Sequence, residues 1–349
     1  MTEAVWSAQD TTPDEVEAAF RHLLRERHAA DEALAPARVL NLVVIVDRTW
    51  KGEIANRLER VGRYHASRTI LCAVEEGRTK LDAVAVMSDD DPHSASPSVM
   101  HERVEIDMGP VHLRGIDTIV DPVVVSELPT MLWCPHGHEE ALRALLKLAD
   151  VILLDSDDMD DPAAALNRAR ELLESAYVVD LAWLRTTPWR ERLAASFDLP
   201  DRQALLGGLD SLSVRHQPAS GASALLLAGW LASRLGWKPE PLRADNGSSP
   251  TSTAHRHEGS VRIALEPVDQ AVPGLVGVTA SSGTEFSLSL DRARGGLLAR
   301  EHNSRGDYEW QVLGSSRGEG GILGEGVRQA LLRDPTYGPA LAAARKLTP

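Results

Sequence analysis

Residues 38–47 read R-V-L-N-L-V-V-I-V-D, a near-continuous Val/Ile/Leu run of the kind that forms a central strand covered on both faces. Residues 49–61 follow with Ile54, Leu58 and Val61 at helical spacing, and residues 66–74 (A-S-R-T-I-L-C-A-V) give a second buried run. Strand, helix and strand in this order predict a right-handed crossover unit in a parallel or mixed sheet.

Working outward, residues 1–12 read as disordered, and Thr12-Pro13-Asp14-Glu15 opens a helix that fades by Leu34 and stops at Pro36. Residues 81–87 and 99–108 alternate apolar and polar side chains and predict half-exposed antiparallel strands around an acidic loop at 88–97. Residues 111–125 read as mostly helical, 128–135 as an interior strand, 139–149 as a helix and 151–155 as a short strand. The first half is therefore expected to be an α/β domain, doubly wound-like with a mixed sheet. The run D-S-D-D-M-D-D-P (155–162) is the clearest break in composition and reads as a solvated acidic linker, which sets the expected domains at 1–160 and 161–349. The second half reads as α+β: helices at 162–175 and 220–235, a strand at 207–216, then an antiparallel meander over 260–313 and two closing helices.

The 349 residues carry a formal charge of −14, which argues against a nucleic-acid backbone or an anionic membrane as the main partner. The longest apolar stretch, 222–232, is too short to span a bilayer, and residues 1–10 lack the pattern of a signal peptide. With two cysteines, Cys72 and Cys134, and no C-x-x-C, a cytoplasmic protein with reduced thiols is expected.

Catalytic signatures fail one after another. No Lys follows a Gly, so there is no phosphate-binding P-loop, and the first strand leads through Asp47-Arg48-Thr49-Trp50 rather than a G-x-G-x-x-G turn. Neither G-x-S-x-G nor H-E-x-x-H occurs. Cys134, His136 and His138, or His255 and His257, lack a second pair at structural-zinc spacing, so no metal and no cofactor are expected. Tyr64-His65-Ala66-Ser67-Arg68 is a candidate anion site through His65, Ser67 and Arg68, although it precedes a strand, where open sheets seldom bind ligands.

Residues 178–192, V-V-D-L-A-W-L-R-T-T-P-W-R-E-R, concentrate Trp and Arg, the residue types that dominate binding at interfaces. They read as an apolar strand to Leu184 and a turn, then a helix capped by the Thr187 hydroxyl with Pro188 in its first turn. Two readings stand: a core strand and helix with buried tryptophans, or a recognition element.

Several segments together resemble one family, the glucose-6-phosphate dehydrogenase assembly protein (OpcA) family. They are L-N-L-V-V (40–44), H-A-S-R (65–68), L-P-T-M-L-W-C-P (128–135), D-L-A-W-L-R-T-T-P-W-R-E (180–191) and L-L-L-A-G-W-L-A-S-R-L-G-W (225–237). The resemblance implies a non-catalytic protein that binds glucose-6-phosphate dehydrogenase and promotes its active oligomer in the oxidative pentose phosphate pathway. It also implies an N-terminal α/β domain and a distinct C-terminal one. Ala66 stands where the family usually has Pro, and Cys134 follows Trp133 where a second Trp is common. The partner-contact residues expected on this reading are Asp180, Trp183, Arg185, Thr187, Trp189 and Arg190. The alternative is a phosphometabolite-binding sensor or enzyme using His65, Ser67 and Arg68.

Overall fold

A computed structural model describes residues 3–30, 38–62, 67–89, 100–198, 200–244, 249–313 and 318–349. The chain forms two compact units that are not contiguous in sequence. The first comprises 1–154, 175–179 and 323–332; the second comprises 155–174, 180–322 and 333–349. Among the described residues no helix is long and apolar enough to cross a membrane.

The first unit is built on an eight-stranded sheet. Its strands are β1 (Glu3–Ala8), β2 (Leu40–Asp47), β3 (Ser67–Val74), β4 (Asp82–Asp89), β5 (Met100–Met108), β6 (Thr130–Trp133), β7 (Val151–Leu154) and β8 (Tyr177–Asp180). They lie in the order β1-β4-β5-β3-β2-β6-β7-β8. β5, β3, β2, β6 and β7 are parallel neighbours, while β4 pairs antiparallel with β5 and β1 antiparallel with β4. Counting β2 as the first strand, β5-β3-β2-β6-β7-β8 is the 3-2-1-4-5-6 order of dinucleotide-binding doubly wound sheets, with its reversal between β2 and β6. The apolar runs of β2 and β3 are buried on both faces, as parallel central strands require.

Asn41 is the polar exception inside β2, with no exposed surface. Its amide donates to the carbonyl oxygens of Val125 and Leu128 and to Thr130 Oγ1, and its Oδ1 accepts the Val125 N–H at 2.9 Å. A buried amide with both ends engaged fixes the segment that precedes β6. One expectation fails here. Glu3–Ala8 is an edge strand in register with Ala83–Ser88 rather than disordered, because the exposed edge of β4 offers it a full ladder.

The second unit holds another eight-stranded sheet. Its strands are β9 (Ser211–His216), β10 (Lys238–Pro239), β11 (Thr251–His255), β12 (Ser260–Pro267), β13 (Leu275–Ser282), β14 (Phe286–Ala293), β15 (Gly296–Asn303) and β16 (Gly306–Leu313). The order is β10-β11-β12-β9-β13-β14-β15-β16; β12 and β9 are parallel, and β13 to β16 pair consecutively antiparallel. Burial alternates along β9, β12 and β14, so one face is core and the other faces water. The apolar helix Gly221–Leu235 packs against β9 and β12, and the terminal helix Tyr337–Leu347 packs on it. That second contact is close because Gly229 faces the terminal helix: a Cβ there would lie 2.4 Å from the Ala340 carbonyl oxygen.

Candidate functional site

β8 delivers the chain to Asp180, which is 1% exposed. Its Oδ1 accepts the N–H groups of Ser156 (3.1 Å) and Ala182 (3.0 Å), and its Oδ2 accepts the hydroxyls of Ser156 (2.6 Å) and Tyr337 (3.0 Å). The Ala182 bond makes Asp180 the N-cap of the short helix Leu181–Arg185. The apolar run expected as one strand to Leu184 therefore ends at Asp180. A capping carboxylate next to a run of good helix formers overrides the strand pattern.

At the end of that helix Arg185 holds Asp155 with two bonds, at 2.7 and 2.6 Å. Asp157 accepts the N–H of Ser223 at 3.0 Å and its hydroxyl at 2.5 Å, in the first turn of Gly221–Leu235. Two shielded carboxylates, Asp155 and Asp157, thus face one guanidinium, the second at 3.8 Å. Burial pushes Asp180 up to about 7 and Asp157 up to about 6, against the hydrogen bonds that favour their anions. The acidic run expected to be a solvated linker is instead turned inward at Asp155 and Asp157, where helix N-termini and Arg185 compensate the charge.

Trp183 is 2% exposed, and its indole N–H donates to Asp334 Oδ2 at 2.9 Å. The Arg190 guanidinium lies over its ring while donating to Thr186 Oγ1 and Thr187 Oγ1, both at 2.9 Å. Burial pulls Arg190 down to about 10, which leaves it charged at neutral pH. Pro188 is in the first turn of Thr187–Ser196 as expected, but no side chain caps that helix. The Thr187 hydroxyl is taken by Arg190, and the chain enters the helix through Thr186.

Contact with a partner requires accessible side chains. Asp180, Trp183 and Trp189 are at most 3% exposed, and the side chains of Arg185 and Arg190 are 14% and 12% exposed. Asp180, Trp183 and Trp189 are thus internal rather than surface residues, while Arg185, Thr187 and Arg190 are partly exposed and bonded within the same unit. Asp155, Asp157, Ser156, Ser223, Asp334 and Tyr337 complete the network. Their partners lie up to 157 residues away, so no local pattern reveals them.

The candidate anion cluster fares similarly. His65 lies outside the described residues. Arg68 is 8% exposed and donates to Glu102 Oε2 at 2.8 Å and to the Val123 carbonyl at 2.9 Å, with its guanidinium 4.8 Å from the Phe20 ring centre. Ser67 is buried within hydrogen-bond distance of Thr69 Oγ1. Glu102 also takes Arg38 at 2.5 Å, so Arg68 is engaged in a buried ion pair at the wall of an open cavity that Arg38 also lines.

At the reversal between β2 and β6, where open sheets bind ligands, Asp47 ends one strand and Cys134-Pro135-His136-Gly137-His138 follows the other. Gly137 (φ 89°) and His138 (φ 52°) turn the chain into the helix Glu139–Leu145. Trp50 stacks on His136 with ring centres 5.6 Å apart, and His138 Nε2 lies 3.0 Å from Asp47 Oδ1, out of hydrogen-bond alignment. Lys51 is held by Glu105 at 3.0 Å and Asp107 at 2.8 Å. The exit from β2 thus lacks the glycine-rich turn that lets a pyrophosphate approach backbone N–H groups. Among the described residues no group of three or more His, Cys, Asp and Glu is gathered as a metal site.

Family models match both halves. The glucose-6-phosphate dehydrogenase subunit N-terminal domain matches residues 58–171, and the corresponding C-terminal domain matches residues 176–341. Among curated proteins, the "Putative OxPP cycle protein OpcA" of Synechococcus elongatus is 29% identical over 182 residues, covering 50% of this chain and 41% of that protein. Its namesake in Nostoc punctiforme is 28% identical over 166 residues, covering 46% and 36%. The chain thus aligns with less than half the length of these relatives. A solved 3-ketoreductase, KijD10 of Actinomadura kijaniata, shares the fold at a TM-score of 0.51 with 10% identity, covering 89% of this chain and 95% of its own. With both domain models matched in order, the chain belongs to the OpcA family of glucose-6-phosphate dehydrogenase assembly proteins.

Proposed function

We propose that this chain is a non-catalytic assembly factor and activator of glucose-6-phosphate dehydrogenase, acting in the oxidative pentose phosphate pathway. The observation that carries the reading is the ordered match to both domains of the family across residues 58–341. The geometry supports it in two places. The exit of β2 carries Asp47 and Trp50, against His138 and His136, where a dinucleotide site would have glycines, and the buried acids are tied into caps and ion pairs rather than aimed into a cleft.

Activation by a protein is a matter of differential affinity: it must bind the active form of the enzyme more tightly than the inactive form. A tenfold preference, about 1.4 kcal/mol, shifts the population tenfold. The test is to assay glucose-6-phosphate dehydrogenase from the same organism with and without this protein while following the enzyme's mass. Activation accompanied by a change in oligomer or a stable complex is expected. Unchanged activity, substrate affinity and mass at micromolar concentrations would overturn the reading.

A further inference from the structure

The tryptophans of the 178–192 stretch, Trp183 and Trp189, are buried and closed to a partner. The helix Thr187–Ser196 also forms one wall of an open groove of about 330 Å³. Leu193 and Phe197 lie on that side, Leu206 and Trp230 line it from two further helices, and Ala194 and Arg234 stand at its edge. Leu193 and Phe197 are buried, Trp230 and Leu206 half-buried, and Ala194 and Arg234 exposed.

Three features decide what such a groove fits. Its volume is at the small end of ligand clefts, roughly 300–1,000 Å³, so it has room for one or two bulky side chains. The lining is mostly aromatic and aliphatic; its polar members are Asp198, Arg234 and Gln203, and the Gln203 amide donates to the Asp198 carbonyl at 3.2 Å. The rim carries charge: Arg234 has no hydrogen-bond or ion-pair partner among the described residues, and Asp198 stands exposed at the same rim. A half-buried Trp in an apolar recess beside an uncommitted Arg has the composition of an interface hot spot.

We propose that this groove is the docking site for the enzyme partner, receiving a bulky apolar side chain from an amphipathic segment that also places a carboxylate beside Arg234. The inference rests on the function proposed above and names the surface that carries it. An apolar anchor supplies the affinity, and the Arg234 contact fixes orientation and raises the association rate at low salt.

The experiment measures binding of the full-length protein to glucose-6-phosphate dehydrogenase from the same organism. It compares wild type, Ala194→Glu and Arg234→Glu, with melting temperatures recorded alongside. Ala194 is exposed within a helix and Arg234 has no described partner, so both variants should fold. Each is expected to weaken binding at least about tenfold, and Arg234→Glu to reduce the salt dependence of association. Deuterium exchange should slow over residues 187–206 and 221–235 on binding. Folded variants that bind within about twofold of wild type, with no protection at these helices, would overturn the groove assignment and leave the proposed function standing. Failure of wild type to bind would overturn both.

Discussion

The guanidinium carbon of Arg190 sits 3.5 Å from the centre of the Trp183 ring, and both residues are tied to Asp334: the indole through a 2.9 Å hydrogen bond, the guanidinium at 3.7 Å. This arrangement couples the turn at residues 186–188 to the segment before the terminal helix. The 178–192 stretch is thereby an architectural device, and its tryptophan and arginine act by fixing two distant parts of one unit together. Arg190→Lys keeps a charge but loses the planar stack and the fork that reaches Thr186 and Thr187. Denaturant unfolding should show a loss of about 1–2 kcal/mol. Trp183→Ala should cost about 3–5 kcal/mol by leaving a cavity under Arg190. An Arg190→Lys variant as stable as wild type would mean that the stack carries nothing.

Asp180 makes a pH prediction with a defined sign. Its folded value near 7, and that of Asp157 near 6, stand above the roughly 3.9 of an exposed aspartate. Between these limits the folded chain holds more protons than the unfolded one. The contribution of the two groups is full below about pH 4 and is lost as pH rises through 6 and 7, by at most about 1.4 kcal/mol per pH unit for each group. Asp180→Asn tests the assignment cleanly. Its Oδ1 can still accept the N–H groups of Ser156 and Ala182, and its amide can donate to the Ser156 and Tyr337 hydroxyls, which are free to rotate. The variant should lose about 1 kcal/mol at pH 5 and show a flatter profile between pH 5 and 8. A wild-type minus variant difference that does not change over this range would sink the assignment.

What could be read from the sequence divides along a physical line. β2 and β3 were legible because a strand buried on both faces must be apolar along its whole length. The alternating strands of the second sheet were legible because one face is wet. By contrast, the strand Glu3–Ala8 was invisible, since an edge strand gains its order from β4 rather than from its own residues. The fate of Asp155, Asp157 and Asp180 was hidden for a similar reason. An acidic run reads as solvated unless donors such as Ser223 and Tyr337, distant in sequence, are known to reach it. Trp and Arg signal either a hot spot or a staple, and only exposure separates the two.

Gly229 should be the least replaceable glycine of the helix Gly221–Leu235. An added Cβ would come within 2.4 Å of the Ala340 oxygen, 2.6 Å of the Ala344 nitrogen and 2.8 Å of the Ala344 Cβ, none of which is a flexible side-chain end. Alanine favours a helix over glycine by about 1 kcal/mol. The overlap with backbone should outweigh this, since overpacking costs about 1–3 kcal/mol and here the two helices must separate. Gly229→Ala is expected to lower the melting temperature, whereas Gly236→Ala, at a left-handed helix end with open space around it, should cost only about 1 kcal/mol from backbone strain. Equal melting temperatures for Gly229→Ala and wild type would show that the helices slide apart without cost.

Glu102 decides between an ion-pair and an anion-site reading of Arg68. Its side chain is 1% exposed and takes Arg68 at 2.8 Å and Arg38 at 2.5 Å, so removing one arginine weakens the compensation of a carboxylate that water scarcely reaches. Arg68→Met leaves Glu102 with Arg38 as its remaining cation and should destabilise the fold by about 1.5–3 kcal/mol, the range for losing a hydrogen bond to a charged group. The double variant Arg68→Met, Glu102→Leu should recover part of that loss, because it no longer leaves a carboxylate facing a hydrocarbon. An anion site predicts the opposite pattern: a milder loss in the single variant, no recovery in the double, and a phosphate-dependent rise in the melting temperature of wild type alone. Thermal shifts with and without millimolar phosphate separate the two, and the committed geometry of Arg68 calls for none.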